Sequence, residues 1–299
     1  MLKVSSVLGN SQRLDGGAMF GNAPRALWSR WCTPDEQGRI ALSCRAFLVE
    51  DGEQRVLLET GIGVFFEPTL RERYGVVEPQ HVLQDSLNEL GLDVSDIDAI
   101  VLSHLHFDHA GGLLATGVAG EPSRLLFPNA RFIVGKQAWE RASSPHLRDR
   151  ASFIPGLPEL LEGSGRLEVL EKPAQLSEVL GPRFAGIESF GHTPGMLHTT
   201  LRGERAHAFF CADLVPGTPW VHLPITMGYD RFPEQLIEEK AELFQEFEQS
   251  GTWLLFTHDP GVAAARVTCS PQGKFSPATA TPALRGWDLD ATAAPPRLN

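Results

Sequence analysis

A chain of 299 residues with 42% hydrophobic and 21% charged content can form one large domain or two small ones and can bury a sizeable core. Its net charge of -11, without any basic run, argues against a nucleic-acid partner, because phosphate-backbone contact needs clustered Lys and Arg. No stretch of 18 apolar residues exists and the N-terminus lacks a sustained apolar run, so neither a membrane span nor an export signal is expected. Cys32, Cys44, Cys211 and Cys269 are far apart and form no Cys-x-x-Cys pair, which points to reduced thiols in a cytoplasmic protein.

The first informative segment, Ala18 to Trp28, is aromatic and apolar with loop character. It could line a pocket, form a homodimer contact or pack in the core, and Phe20 and Trp28 are its candidate substrate contacts. Ile40 to Thr60 reads as a hairpin, with Ala46–Val49 and Val56–Leu58 flanking Asp51-Gly52, a dipeptide suited to a turn. Val82, Leu83, Leu87, Leu90 and Leu92 recur at helical spacing, with Gly91 as a stop signal. Ala99–Leu102 is a short, wholly apolar strand of the buried kind.

Arg131–Val134 reads as a further strand, and residues 142–166, rich in Pro, Ser and Gly, as a surface excursion. Strands are expected at Phe184–Ser189, Leu197–Leu201 and His207–Cys211. A clear helix follows from Pro233 to Gln249, with Leu236, Ile237, Leu243, Phe244 and Phe247 on one face. Trp253–Phe256 is the last strong strand. The expected organisation is one domain over residues 1–275, made of two sheets with helices outside them, and a loosely packed Pro- and Ala-rich tail over 276–299.

Directly after the apolar strand at 99–102, His104, His106, Asp108 and His109 place four potential ligands within six residues. A buried strand holds its end rigidly, and the loop beyond it can aim several side chains at one point. Imidazole suits Zn, Fe, Co or Ni, and a carboxylate can bridge to a second ion. Four such groups in one tight loop would be costly to enclose without a partner. An isolated histidine carries no comparable signal, so His81, His146, His198 and His207 are read as structural or surface residues.

The run His104-x-His106-x-Asp108-His109, continued by Ala110-Gly111-Gly112, resembles the signature of the metallo-β-lactamase superfamily. Gly191-His192-Thr193-Pro194-Gly195, Asp213 and His258 are similar to that family's later motifs, in the same order, so the resemblance covers roughly residues 40 to 260. It implies an α/β fold, a four-layer αββα sandwich with the site among loops at strand ends. It also implies two divalent ions, zinc first and Fe, Mn or Co as alternatives. His104, His106 and His192 would hold one ion, Asp108, His109 and His258 the other, and Asp213 would bridge. The implied reaction is hydrolysis by a metal-bridging hydroxide, with Asp108 and Asp213 as the catalytic carboxylates and Asp108 guiding a proton to the leaving group. One departure is Glu59-Thr60-Gly61, where the family often has Asp-Thr-Gly or Asp-Ser-Gly; Glu59 either supports a ligand histidine from behind or simply ends a strand.

The substrate is narrowed by exclusion. Metallo-β-lactamases proper are exported and often carry cysteine where Asp213 stands, RNA-processing relatives have basic surfaces, and glyoxalase II carries a helical C-terminal domain. What remains resembles the lactonase and organophosphate-hydrolase branch. A lactone or other small-molecule ester is the expected substrate, an organophosphate is the alternative, and an iron-dependent redox member of the superfamily is a third reading. Acyl-homoserine lactonases often place a tyrosine three residues after the bridging Asp; here that residue is Pro216, leaving Tyr229, and beside it His222, as candidate substrate contacts.

Overall fold

The computed structural model describes residues 1–115 and 123–296. In chain order its strands begin with β1 (Leu2–Val7), β2 (Gln12–Asp15), β3 (Arg39–Leu42), β4 (Ala46–Asp51), β5 (Gln54–Leu58), β6 (Ala99–Leu102), β7 (Arg131–Gly135) and β8 (Leu167–Leu170). They continue with β9 (Phe184–Ser189), β10 (Met196–Arg202), β11 (His207–Phe210), β12 (Trp253–Leu255), β13 (Ala264–Cys269), β14 (Phe275–Thr281) and β15 (Trp287–Asp288). One sheet has the order β15-β1-β4-β5-β6-β7-β8 and the other β14-β13-β12-β11-β10-β9, with β2 and β3 paired separately. This is the αββα sandwich that the sequence motifs implied.

Period-two alternation explains the layers. From β5 to β7, Val56, Leu58, Val101 and Ile133 pack between the two sheets with Phe184, Leu201 and Phe210 of the other. Their alternate neighbours Leu57, Ile100 and Phe132 face outward and pack against Leu83 and Leu87 of the helix Val82–Glu89. β6 is therefore buried on both faces, which is why Ala99–Leu102 is apolar throughout. Opposite, the helix Pro233–Ser250 buries Leu236, Phe244 and Phe247 and ends on Gly251 in the left-handed conformation.

Three expectations need correction. The segment from Ala18 to Trp28 is not a loop; it contributes to two short helices, Gly16–Phe20 and Arg25–Trp28, whose aromatic residues are buried. Residues 142–166 are more than a surface excursion, since a helix at Leu157–Gly163 buries Leu157 and Leu161 and Phe153 packs beside His106. The stretch after Phe275 is not loosely packed. β14 extends the second sheet, while β15 pairs antiparallel with β1 through Lys3–Asp288 and Val4–Trp287 and so crosses to the first. Trp287 and Leu289 are fully buried, because this crossing covers the edge shared by both layers. Residues 297–299 of that stretch lie outside the described residues.

Candidate metal centre

The site lies at the ends of β6, β10, β11 and β12. His106 precedes a single helical turn, Phe107–Ala110, which turns Asp108 and His109 toward the strand end that carries His104. Gly111 and Gly112 let this turn settle on the backbone after β5: a Cβ at Gly112 would meet Thr60 O at 2.0 Å and one at Gly111 would meet Ile62 O at 2.2 Å. Gly112 N donates to Gly61 O at 2.9 Å, and the Thr60 hydroxyl donates to His109 O at 3.0 Å. Two non-glycine residues beside the site, Glu59 (φ 62°) and Ala212 (φ 42°), occupy the left-handed region, a strain of the kind found where neighbouring structure dictates where a side chain points.

The structure brings all seven candidate ligands together. His104 Nε2 and His106 Nδ1 are 3.0 Å apart, and His192 Nε2 lies 3.3 Å from His106 Nδ1. On the other side His258 Nε2 lies 3.2 Å from His109 Nε2, and Asp108 oxygens stand 3.6 Å from His258 Nε2 and 3.8 Å from His109 Nε2. Asp213 sits between, with Oδ1 3.0 Å from His258 and 3.3 Å from His109, and Oδ2 3.2 Å from His192. His104, His106 and His192 form one group able to hold a metal ion, and Asp108, His109 and His258 another.

This donor set fits cations. Asp213 Oδ1 is buried yet accepts no hydrogen bond. Ring nitrogens converge on one another at hydrogen-bond distance, and His106 Nδ1 meets two of them, so lone pairs are turned to common points where a cation would neutralise them. The titration of the cluster agrees. Burial, reinforced by neighbouring histidines, takes His104 and His106 well below the usual imidazole range, as neutral ligands require. Burial opposes charge on His109 and His258 too, but Glu59, Asp213 and Asp108 outweigh it at His109, as Asp213 does at His258, and both are held well above that range. Burial likewise opposes charge on Asp213, but His109, His258 and His192 hold its carboxyl well below the ordinary one. The acidic side of the centre draws positive charge toward Asp213.

Behind the candidate ligands, the remaining ring nitrogens of four of the five histidines are fastened, whereas His106 Nε2 is buried without a partner. Glu59, fully buried, accepts from the Ser103 hydroxyl with one oxygen and lies 2.7 Å from His109 Nδ1 with the other. Ser103 Oγ in turn lies 2.9 Å from His104 Nδ1, and His258 Nδ1 lies 2.8 Å from Ser43 O. His192 Nδ1 meets Asp230 Oδ1 at 2.9 Å. Asp230 carries no signal in the sequence, because it stands 38 residues from its partner in no pattern.

In front of the candidate ligands opens a cavity of about 150 Å³, with His106, Asp108, His192, Asp213 and His258 at its floor. Its walls are Leu14, Met19, Tyr74, Phe107, Ala151, Ser152, Met227 and Tyr229. Tyr229 is thus at the cavity; partial burial first, then Asp108 and Asp15, push its phenol up to about 12. Phe20, Trp28 and His222 are not among the lining residues. Phe20 is sandwiched between Trp28 (5.6 Å) and Trp220 (4.6 Å) in the core behind Met19. His222 borders a separate depression with Trp31, Pro219 and Phe275. Nothing in the sequence marked Tyr74.

A family model described as the metallo-beta-lactamase superfamily matches residues 39–258. The chain belongs to that superfamily. Over 191 residues it is 30% identical to a probable metallo-hydrolase of Mycobacterium tuberculosis, a match covering 58% of this chain and 57% of the relative. The chain spans less than two thirds of the length of the curated relatives it matches. Among solved structures of the superfamily fold, it superposes on a probable metal-dependent hydrolase from Staphylococcus aureus with a TM-score of 0.81 and 27% identity, covering 93% of this chain and 96% of the other. It also superposes on AidC, described as a dizinc quorum-quenching lactonase, with a TM-score of 0.73 over 92% of this chain and 93% of that one. At 19% identity the second likeness is one of fold.

Proposed function

We propose that this chain is a metal-dependent hydrolase of small uncharged esters, lactones among them, working with two divalent ions, zinc first. The observation that carries the reading is the convergence of seven ligand side chains around Asp213 at the floor of a largely apolar cavity. His104, His106 and His192 would hold one ion, Asp108, His109 and His258 the other, and Asp213 would contact both. When bound, such a pair lowers the pKa of water toward neutrality and polarises an ester carbonyl.

The chain's own residues supply the rest. Met227, Phe107 and Tyr74 enclose the acyl part of the substrate and exclude bulk water. Tyr229, held protonated at neutral pH, donates a hydrogen bond to the carbonyl oxygen. Asp108, whose side chain is 15% exposed at the cavity floor, takes up the proton that the attacking water loses and passes it to the leaving oxygen. No arginine or lysine is among the described residues lining the cavity, which favours neutral substrates over phosphate monoesters. A phosphotriester meets the same condition and is the second reading.

The test is a screen of the zinc-loaded chain against lactones, aryl esters, phosphotriesters and nitrocefin, before and after chelation. Turnover of a lactone or aryl ester that chelation abolishes and zinc restores is expected. Protein that binds two zinc ions yet hydrolyses neither class, or that purifies with one iron per chain and consumes oxygen, would overturn the reading.

A further inference from the structure

The loop from Thr226 to Phe232 joins the metal centre to the cavity wall, and Asp230 is where the two meet. His192 Nδ1 lies 2.9 Å from Asp230 Oδ1, and Asp230 Oδ2 accepts from the backbone N–H of Met227 at 2.6 Å. Asp230 is 3% exposed and His192 1%, so water replaces neither contact. The same loop is fastened to the turn that carries the histidine: Arg231 N donates to Gly191 O at 2.9 Å and Phe232 N to Gly191 O at 2.8 Å. Met227 and Tyr229, on either side of Gly228, line the cavity.

We propose that Asp230 is a positioning residue that sets the tautomer of His192 and, through Met227, locks the His192 side of the metal centre to the substrate-facing wall. The inference rests on the reading of His192 as a ligand given above. A carboxylate only accepts and a backbone N–H only donates. With Oδ2 committed to Met227, Oδ1 requires a proton on His192 Nδ1. That leaves the lone pair of His192 Nε2 turned to the centre, where His106 Nδ1 lies at 3.3 Å and Asp213 Oδ2 at 3.2 Å.

The arrangement makes the isosteric change more harmful than the truncation. In Asp230→Asn only one side-chain oxygen remains. If it faces the Met227 N–H, the amide NH2 faces His192 Nδ1, which must then accept, and the histidine's proton moves to Nε2, the atom needed by the metal. The opposite orientation sets an NH2 against an N–H across a contact of 2.6 Å, a donor pair with no stable geometry. Asp230→Ala removes both bonds but dictates no tautomer. A residue that merely fills space would show the reverse order.

The experiment is zinc competition against a chromophoric chelator with the full chain, comparing wild type, D230N, D230A, H192A and D230N/H192A. Two equivalents are expected in wild type and one in H192A. D230N should weaken the same equivalent by about 10- to 100-fold, D230A should weaken it less, and the double variant should be no worse than H192A alone. Wild-type affinity in D230N, a milder effect in D230N than in D230A, or additive losses in the double variant would overturn the proposal. H192A that still holds two equivalents at wild-type affinity would overturn the ligand assignment instead. If D230N does not fold, judged by circular dichroism, D230A and D230A/H192A complete the cycle: a D230A loss absorbed by H192A supports the proposal, and an additive one overturns it.

Discussion

The floor of the site is carried by strand ends and the turns directly beyond them, whereas its wall is assembled from a strand, short helices and loops scattered over the chain. His104, His106, Asp108 and His109 leave the end of one doubly buried strand, and the back nitrogens of two of them trace to Glu59 at the end of the neighbouring one. The wall takes Leu14, Tyr74, Phe107, Ser152 and Tyr229 from five separate segments. Ion binding demands a few directed lone pairs at fixed separations, which rigid strands supply. Substrate enclosure demands only shape and apolar surface, which many chain segments can supply.

Substitutions at the floor should do the most damage. His106→Ala and Asp213→Ala are each expected to lower lactone or aryl-ester turnover by about 100-fold or more, with circular dichroism unchanged; wild-type rates in both would break the assignment. Glu59→Gln comes next. Because one carboxylate reaches His109 directly and His104 through Ser103, it should weaken both zinc equivalents by about 10- to 100-fold, where Asp230 variants weaken one. A selective loss in Glu59→Gln would deny it this shared role.

At the wall, Tyr229→Phe removes one hydrogen bond, and about a tenfold fall in kcat/KM at unchanged zinc content is expected. His222→Ala, in its separate depression, should leave kcat/KM as it is; a fall there would redraw the cavity.

His198 bears on stability rather than turnover and sharpens what a floor histidine is. It lies on β10 beyond His192, fully buried, with Ser189 Oγ at 2.8 Å and Phe210 O at 3.2 Å, so both ring nitrogens are already served and neither turns to the centre. Burial takes it from 6.5 down to about 4. The unfolded chain thus binds a proton that the folded one refuses between those values. The stability contributed by neutral His198 is present above pH 6.5 and is lost as the pH falls toward 4, on the order of 3 kcal/mol in all. Denaturant unfolding of His198→Gln should show a shallower acid loss than wild type; parallel curves would refute the assignment.

The contiguous part of the floor was legible because its chemistry is local: three histidines and an aspartate directly after an apolar strand can point almost nowhere but to a common centre. His192, Asp213 and His258 were legible through family motifs, and the structure confirms only their convergence. Glu59 stood open between a supporting role and a plain strand end, and its two contacts favour the first. Phe20 and Trp28 misled because an aromatic residue in an irregular segment can line a pocket or fill the core, and only the position of Trp220 shows which. Asp230 had no local signal at all.

By itself, the sequence determined the layered strand and helix pattern, the apolar faces and the identity of the candidate ligand loop, since alternation, capping glycines and ligand spacing are properties of neighbouring residues. Tertiary structure alone decided which side chains oppose one another. It sent the C-terminal stretch across both sheets to bury Trp287, placed Tyr229 rather than His222 at the cavity, and set Asp230 behind His192. Those outcomes depend on contacts between segments tens to hundreds of residues apart, where complementarity of shape and of donor with acceptor has no trace in local order.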